Sequence, residues 1–293
     1  MRGDGRRAGQ AGRAVVVVLL ALTGCSTAPP EAVPEPAVVE TSGAQREPWA
    51  PPPTGARFDY QLGGPYQPPA GVTVVARDRT AQPAGLGYDI CYVNGFQTQP
   101  GDSAAFAAAH PELVVQTADG PLADPGWPDE LLFDTSTAEK RAALLGVVGP
   151  WFRGCAESGF DAVEVDNLDS WTRSQGRLTA DDNTALALEY ALAAHEAGLA
   201  IAQKNAPEES GRLRAAGYDF AVVESCELYD ECSAYTAHHP VVLDIEYTDE
   251  LGADAFAELC EDGGGAGGLE RILRDHDLLT PDDAGYAYGV CPV

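Results

Sequence analysis

The sequence contains little positive charge. Its 18 lysines and arginines stand against 45 aspartates and glutamates, and only Lys140 and Lys204 are lysines. A protein that binds nucleic acid needs a basic surface to contact phosphates, so the composition argues against a nucleic-acid partner. A cationic substrate remains compatible, because an acidic cleft raises the local concentration of positive ligands. Solubility or adaptation to salt explains most of the acidic residues equally well, so charge alone does not identify the substrate.

The common metal and phosphate motifs are also missing. Neither CxxC nor HxxxH spacing occurs, which argues against a zinc site. The glycine-rich stretch 263–268 lacks the GKS/T sequence and the strand–turn–helix frame of a phosphate-binding loop. We therefore expect a flexible loop at this stretch, and we predict no bound metal and no cofactor.

The N-terminus has the features of an export signal. Four arginines precede the apolar run 14–22, which is too short for a bilayer that needs about 20 apolar residues. Leu-Thr-Gly-Cys follows at 22–25 and resembles the bacterial lipobox. We predict that residues 1–24 are a lipoprotein signal peptide and that lipidated Cys25 holds the protein on the extracellular face of the membrane. An ordinary signal peptide that ends near a cysteine is the alternative.

The rest of the chain divides into a tether and one domain. Residues 25–56 are rich in proline, alanine and glutamate, and this composition predicts a disordered tether. Residues 57–293 have the size of one barrel domain, which takes about 250 residues. Without residues 1–24, the chain keeps 14 of its 18 basic and 44 of its 45 acidic residues, for a formal charge of −30. We expect this domain to be a monomer.

Eight strand-like apolar runs alternate with helical stretches in the domain. Capping-box spacing at 136–139 predicts a helix that ends near Gly159, Thr179 is expected to cap a second that ends at Gly198, and a third covers about 208–217. Repeated β-α-β units predict a parallel sheet, and eight of them favour a (β/α)8 TIM barrel over an open, doubly wound α/β sheet. The predicted strands are 58–62, 72–77, 87–93, 130–134, 161–166, 199–204, 219–224 and 241–246.

Six cysteines follow Cys25, and in an exported protein an even number indicates disulfides. Six cysteines allow 15 connectivities. The local pair Cys226–Cys232 is the easiest to form, and Cys260–Cys291 would strap the C-terminal segment to the domain. These two pairs leave Cys91–Cys155 to join two elements of the barrel. A zinc site is the competing interpretation.

Polar residues concentrate at the C-terminal ends of the predicted strands, where the active site of a TIM barrel lies. Asp166 and Glu224 end the fifth and seventh strands, so both can point into one barrel mouth. Hydrolysis of a glycosidic bond needs such a pair, one to protonate the leaving oxygen and one as nucleophile or base. The same ends, with Asn167 and Asp169, could instead hold Mg²⁺ for phosphodiester chemistry. Asp134 has the position of a helix N-cap, and we prefer this structural role for it over a role in the active site.

At these residues the chain resembles glycoside hydrolase family 114, the endo-α-1,4-polygalactosaminidase-like barrels. The segments that carry the resemblance are 58–62 (FDYQL), 90–95 (ICYVNG), 159–169 (GFDAVEVDNLD), 203–205 (QKN), 220–232 (FAVVESCELYDEC) and 245–247 (IEY). They occur in family order and span nearly the whole domain.

The resemblance implies a hydrolase of α-1,4-linked galactosamine polymers, a polysaccharide that is cationic where it is deacetylated. It places the catalytic carboxylates at Asp166 and Glu224. A carbohydrate-binding lipoprotein that kept the barrel without catalysis is the alternative. The resemblance and the positions of the strand ends together give these candidate substrate-binding residues: Gln61, Asp78, Tyr92, Asn94, Asn167, Asp169, Lys204, Asn205, Glu246 and Tyr247.

Overall fold

Eight parallel strands form the centre of the computed structural model, which describes residues 49–261 and 268–291. The predicted signal peptide, Cys25, the tether up to residue 48 and most of the glycine-rich stretch lie outside the described residues. Within the described ranges, no helix has the length and apolar character needed to cross a membrane.

The strands follow one another around the sheet in chain order, each parallel to the one before it. A ninth strand pairs antiparallel with the eighth. The predicted TIM-barrel class is thereby confirmed. The strands are β1 Arg57–Gln61, β2 Val72–Asp78, β3 Tyr88–Asn94, β4 Ala162–Asp166, β5 Ala200–Lys204, β6 Phe220–Glu224, β7 Val242–Tyr247, β8 Leu269–Arg274 and β9 Tyr288–Val290.

One predicted strand was wrong, and one strand of the barrel was missed. Residues 130–134 are not in the barrel sheet, because β3 pairs directly with β4, with Asn94 opposite Asp166. They lie in the long excursion between β3 and the next long helix, where Leu132 and Phe133 are fully buried. Burial under a loop layer therefore produced the apolar run that looked like a strand. The true eighth strand, Leu269–Arg274, went unrecognised because charged residues interrupt its apolar pattern.

The long helices begin and end where the sequence places their caps. Helix α2 (Ala138–Ser158) has Thr137 as N-cap, whose hydroxyl accepts from Lys140 N, and Gly159 ends it with φ 95°. Helix α3 (Ala180–Glu196) has a full capping box between Thr179 and Asp182. The shorter helices are α1 Ser103–Ala109, α4 Ser210–Ala215, α5 Cys232–Thr236 and α6 Ala253–Glu261.

Alternation along the strands separates a barrel interior from an outer layer. Every second side chain points inward, and apolar side chains fill the lower interior. The intervening side chains pack against α2 and α3 in a second apolar cluster. Polar side chains therefore converge at the C-terminal mouth of the barrel. The inward-facing apolar residues include Phe58, Val74, Ile90, Ala162, Ala200, Phe220, Leu243 and Ile272.

Side chains rather than a strand ladder join β8 to β1 in the described part of the sheet. Arg274 and Asp59 are fully buried and pair at 3.1 Å between Nη1 and Oδ1. The same guanidinium also donates to the carbonyl oxygens of Tyr60, Leu279 and Ala287. One arginine thus connects the first strand, the last parallel strand and the segment that follows it.

Replacing Arg274 by Met is expected to lower the free energy of unfolding by about 3–5 kcal/mol, because it leaves the buried carboxylate of Asp59 without its cation partner and removes a donor from three carbonyls. Urea denaturation followed by circular dichroism measures the change. The exposed Arg153→Met on α2 is the control, with an expected change within about 0.5 kcal/mol. Equal stabilities of the two variants would show that the seam does not depend on Arg274.

The three predicted disulfides are present. Cys91–Cys155 links β3 to α2, and Cys226–Cys232 closes the loop that follows β6. Cys260–Cys291 ties the C-terminal segment to α6.

Residues ahead of β1 already contact the barrel. The ring of Trp49 stacks on His195 with 4.4 Å between centroids, and the Tyr88 hydroxyl donates to Ala50 O at 2.6 Å. Gly55 N donates to Glu270 Oε1 at 2.6 Å. Packing therefore begins before residue 57, the predicted start of the domain.

Candidate active site

A cavity of about 530 Å³ opens at the C-terminal ends of the strands. Eight of the sequence-predicted site residues line it: Tyr92, Asp166, Asn167, Asp169, Lys204, Asn205, Glu224 and Tyr247. Sequence reasoning missed a second set, which comes from the end of β1, from the excursion after β3, from the turn after β4 and from the segment after β8: Tyr60, Leu62, Gly63, Asp124, Gly126, Trp127, Glu130, Arg173, His276, Asp277 and Leu278.

Lys204 lies at the centre of the cavity floor. Its Nζ is 2.9 Å from the Tyr60 hydroxyl, 3.1 Å from Glu164 Oε1 and 3.3 Å from Glu224 Oε2, which accounts for all three N–H donors. Asp166 Oδ1 lies slightly farther away, at 3.7 Å. Burial would lower the pKa of Lys204, but the surrounding acidic groups outweigh it and hold that pKa well above its ordinary value. The lysine therefore supplies a fixed positive charge.

Asp166, at the end of β4, is held by two donors. The Tyr92 hydroxyl donates to Oδ2 at 2.5 Å, and Asn167 N donates to Oδ1 at 2.7 Å. Burial and the charge of Asp166 raise the pKa of Tyr92 well above its ordinary value, so the phenol keeps its proton and remains a donor. The carboxylate is partly exposed to the cavity, where a substrate can reach it.

Glu224, at the end of β6, receives three donors. Tyr247 donates through its hydroxyl to Oε1, Asn205 Nδ2 donates to Oε2 at 2.9 Å, and Lys204 contacts the same oxygen. Burial would raise the pKa of Glu224, but the charge of Lys204 and these hydrogen bonds lower it below its ordinary value. The carboxylate is therefore ionised in the free protein at neutral pH.

The two carboxylates face each other across Lys204. Because their nearest oxygens lie 3.7 and 3.3 Å from the same Nζ, those oxygens are at most about 7 Å apart, the sum of the two distances. Glycosidases place their paired carboxyl groups about 5–5.5 Å apart when they retain configuration and about 6.5–9.5 Å apart when they invert it. An upper limit of about 7 Å admits either arrangement, so the two carboxylates are close enough to act on one glycosidic bond.

The same geometry disfavours the alternative of a Mg²⁺ site. Lys204 already stands between Asp166 and Glu224, and Asp169 forms an ion pair with Arg173 at 2.9 Å. A divalent ion would have to compete with both side-chain cations. The one group of potential ligands elsewhere in the described residues is Cys226, Cys232 and Asp244, and its two cysteines are joined as a disulfide.

Glu164 lies below Lys204 and was missed by the sequence analysis. It is two residues before Asp166 on β4, so strand alternation, a signal present in the sequence, places both on the inner face. The Tyr60 hydroxyl donates to its Oε1 at 2.6 Å, whereas Oε2 is buried without a hydrogen-bond partner. Burial raises the pKa of Glu164 to about 7, although Lys204 and Tyr60 act in the opposite direction.

Glu164 makes stability dependent on pH. Because its pKa is raised from 4.5 to about 7 on folding, its contribution to stability is complete below pH 4.5 and is lost as the pH rises through 7. The free energy of unfolding of the wild type should therefore fall by about 3 kcal/mol between pH 4.5 and pH 8 on account of this group. Glutamine cannot ionise, so Glu164→Gln should lack this fall. Denaturant unfolding at pH 4.5 and pH 8 measures it for both proteins. Parallel pH profiles of the two would contradict the raised pKa.

Two predicted site residues point away from the cavity. Gln61 follows the inward-facing Tyr60 and accepts from Arg77 Nε at 2.9 Å in the outer layer. Glu246 precedes the inward-facing Tyr247, is fully buried, and accepts from Glu227 N at 2.8 Å. Adjacent residues of a strand face opposite sides, so the strand-end position alone placed these two incorrectly.

Two further predicted residues, Asp78 and Asn94, do not line the cavity. Asp78 accepts from Gln99 Nε2 at 2.8 Å and from Thr80 in the turn after β2. Asn94 donates to Glu130 at 2.7 Å and accepts from Asn167 at 3.0 Å, so it positions two residues that line the cavity.

Asp134 also lies outside the cavity. It accepts from Ser136 N at 3.0 Å and pairs with Lys140 in the turn that leads into α2. These contacts agree with a structural role at the start of that helix, although Thr137 is the N-cap.

Known structures share this architecture. The structure of Ega3 from Aspergillus fumigatus in complex with galactosamine is 21% identical, has a TM-score of 0.65, and covers 82% of this chain and 96% of its own. The glycoside hydrolase domain of PelA from Pseudomonas aeruginosa is 17% identical, has a TM-score of 0.54, and covers 78% of this chain and 97% of its own. At these identities the likeness shows a shared fold. No curated protein sequence matches this chain.

The sequence profile of glycoside-hydrolase family GH114 matches residues 39–292. The match includes every strand of the barrel and every residue that lines the cavity. The chain therefore belongs to glycoside-hydrolase family GH114 and is a glycoside hydrolase.

Proposed function

We propose that this protein hydrolyses internal bonds of an α-1,4-linked polysaccharide that contains galactosamine. The observation that carries the proposal is the pair Asp166 and Glu224, held on either side of the buried Lys204 at the barrel mouth. The galactosamine bound to the similarly folded Ega3 supports this sugar as the substrate unit.

Asp166 and Glu224 divide the chemistry between them. One, as the acid, protonates the glycosidic oxygen as the bond breaks, and the other acts as nucleophile or as base for water. Lys204 lies within 3.7 Å of both and stabilises whichever carboxylate is ionised. Tyr92 and Tyr247 each donate a hydrogen bond to one of the pair and fix its orientation.

The lining of the cavity favours a positively charged substrate. Its basic residues are Lys204 and Arg173, and both already pair with carboxylates of the site. The lining carboxylates outnumber them: Asp124, Glu130, Asp166, Asp169, Glu224 and Asp277. An excess of negative charge in a concave site attracts free amino groups on a polymer.

We place the enzyme outside the cell as a monomer anchored by lipid. The proposal rests on the predicted signal peptide and on Cys25, with residues 25–48 as the tether and the lipid as the only contact with the membrane. Substrate would then reach the barrel without crossing a membrane. Chains in which Cys25 is replaced by Ser should be released into the medium rather than found with the membrane fraction.

A non-catalytic, carbohydrate-binding lipoprotein on the same barrel is the second candidate. One assay separates the two: the purified domain is incubated with poly-galactosamine, galactosaminogalactan and neutral α-glucans, and oligosaccharides are followed by mass spectrometry. We expect oligosaccharides from the first two polymers and none from the glucans. Retention of polymer with no new reducing ends would support the binding protein instead.

A further inference from the structure

Among the described residues, Glu130 is a buried carboxyl of the cavity that forms no ion pair. It comes from the excursion between β3 and α2 and is only 6% exposed. Asn94 donates to its Oε2 at 2.7 Å, and no described side chain or backbone group donates to Oε1. Glu130 lines the cavity, so a ligand bound there lies beside this carboxyl group.

The neighbouring charges of the same wall are already paired. Arg173 contacts Asp124 at 2.5 Å and Asp169 at 2.9 Å, and its third nitrogen donates to Asn167 at 3.0 Å. Each of its three nitrogens therefore already donates to a group other than Glu130. Lys204 is likewise engaged, by Tyr60, Glu164 and Glu224.

A buried carboxyl without a cation partner is costly to ionise. Burial raises the pKa of Glu130 to about 7; the charges of Asp166 and Asp124 act in the same direction, and Asn94 and Arg173 act against it. A ligand that brings a positive charge to this wall would remove the cost. Carboxyl groups with a shifted pKa that lie in a cleft are also frequent members of functional sites.

An aromatic surface adjoins the carboxyl. Trp127, three residues before Glu130, lines the same cavity and is 61% exposed. Asp124 accepts from Gly126 N at 2.8 Å and from Trp127 N, so the loop that carries the indole is fixed. An exposed indole on this backbone offers an apolar face to a sugar ring while the carboxyl takes a polar substituent.

We propose that Glu130 is a specificity-determining residue that binds the free ammonium group of an amino sugar, with Trp127 beside it as the stacking surface for the ring. The subsite discriminates a free amine from an N-acetylated one, since only the amine supplies the missing charge. This inference rests on the proposed function, because it names which form of the polymer the same cavity prefers.

Glu130→Gln tests the charge with almost no change of shape. We expect KM for deacetylated α-1,4-galactosamine oligomers to rise about 10- to 100-fold, because a buried charge pair is lost, with kcat changed less than about threefold. KM for the N-acetylated oligomers should stay the same. Asp129→Asn is the matched control, since it removes one charge from the exposed neighbouring residue and should alter neither substrate.

Trp127→Ala separates the ring surface from the charge. It should raise KM for the charged and the N-acetylated oligomers by similar factors. If Glu130→Gln changes the KM values for the two substrates by the same factor, so that their ratio stays as in the wild type, the assignment of Glu130 is overturned.

Calorimetric binding of galactosamine and N-acetylgalactosamine oligomers to the Asp166→Asn protein keeps the test separate from catalysis. Glu130→Gln in that background should remove the preference for the free amine. If the wild type hydrolyses neither polymer, the proposed function fails while this binding preference still decides the role of Glu130. If hydrolysis occurs without the preference, only the role of Glu130 fails.

Discussion

Asp166→Asn and Glu224→Gln are each expected to lower kcat on galactosamine polymer by at least about 10³-fold, with the fold retained. Both substitutions keep the side-chain shape and remove the ability to exchange a proton or to attack as a carboxylate. In the proposed function, one of the two carboxyl groups is the acid and the other the nucleophile or base, so neither can replace the other. The activity of the double variant should be close to that of the less active single variant. The two losses should not multiply, because the two carboxyl groups act as one unit.

Reducing-end formation over long incubation measures this loss, and thermal unfolding of each variant checks the fold. Glu139→Gln is a suitable control, since this carboxylate lies exposed in the first turn of α2, away from the cavity. A double variant that hydrolyses polymer at the rate of the wild type would rule out the carboxylate pair as the catalytic groups.

Lys204→Met is expected to abolish hydrolysis and to lower the free energy of unfolding at neutral pH by about 3–5 kcal/mol. Glu164, Asp166 and Glu224 surround its Nζ, and the substitution leaves them as uncompensated acids in a largely buried site. The pKa of Lys204 is raised on folding, so its contribution to stability is fully present below the ordinary value of 10.5 and is lost only as the pH rises through the folded value.

The loss in Lys204→Met should be smaller at pH 5 than at pH 8, because Glu164, whose pKa burial raises to about 7, is protonated at pH 5 and then needs no cation beside it. Denaturant unfolding at both pH values measures it. The other lysine of the chain provides the control: Lys140 makes a single, partly exposed ion pair with Asp134, so Lys140→Met should cost about 1 kcal/mol or less at either pH. A loss at Lys204 as small as that at Lys140 would contradict its central role.

The sequence was sufficient to predict the barrel, and it placed Asp166, Glu224 and Lys204 in one mouth. Each of these ends a strand on its inner face, so the general rule for parallel barrels applied directly. Helices α2 and α3 were equally predictable, because Thr137 and Thr179 cap them in a local interaction that needs no tertiary context.

The sequence did not predict which side chains face the cavity where this depended on the exact register of a strand. Gln61 and Glu246 differ by one position from the inward-facing Tyr60 and Tyr247, and a one-residue shift moves a side chain to the opposite face. Glu164 was overlooked for the related reason that it lies one full alternation before the strand end. Strand bounds read from sequence are not accurate enough to decide such positions.

The excursion between β3 and α2 could not be predicted by pattern at all. Its Trp127 and Glu130 come to the cavity through bridges between short segments, such as Gln97 to Leu132 and Val114 to Phe133. These contacts join residues that are distant in sequence, and no periodicity marks them. The same contacts bury the apolar residues that imitated a strand.

The seam between β1 and β8 also determines how the domain could be joined to other proteins. The Tyr288 hydroxyl of the last strand donates to Phe58 O of the first at 2.9 Å, so both ends of the barrel lie at the same edge. A short designed linker across this edge could connect them, and new termini could then be opened in an exposed loop elsewhere. Circular permutants and insertions into host proteins are therefore practical formats for this barrel, with the catalytic mouth left untouched.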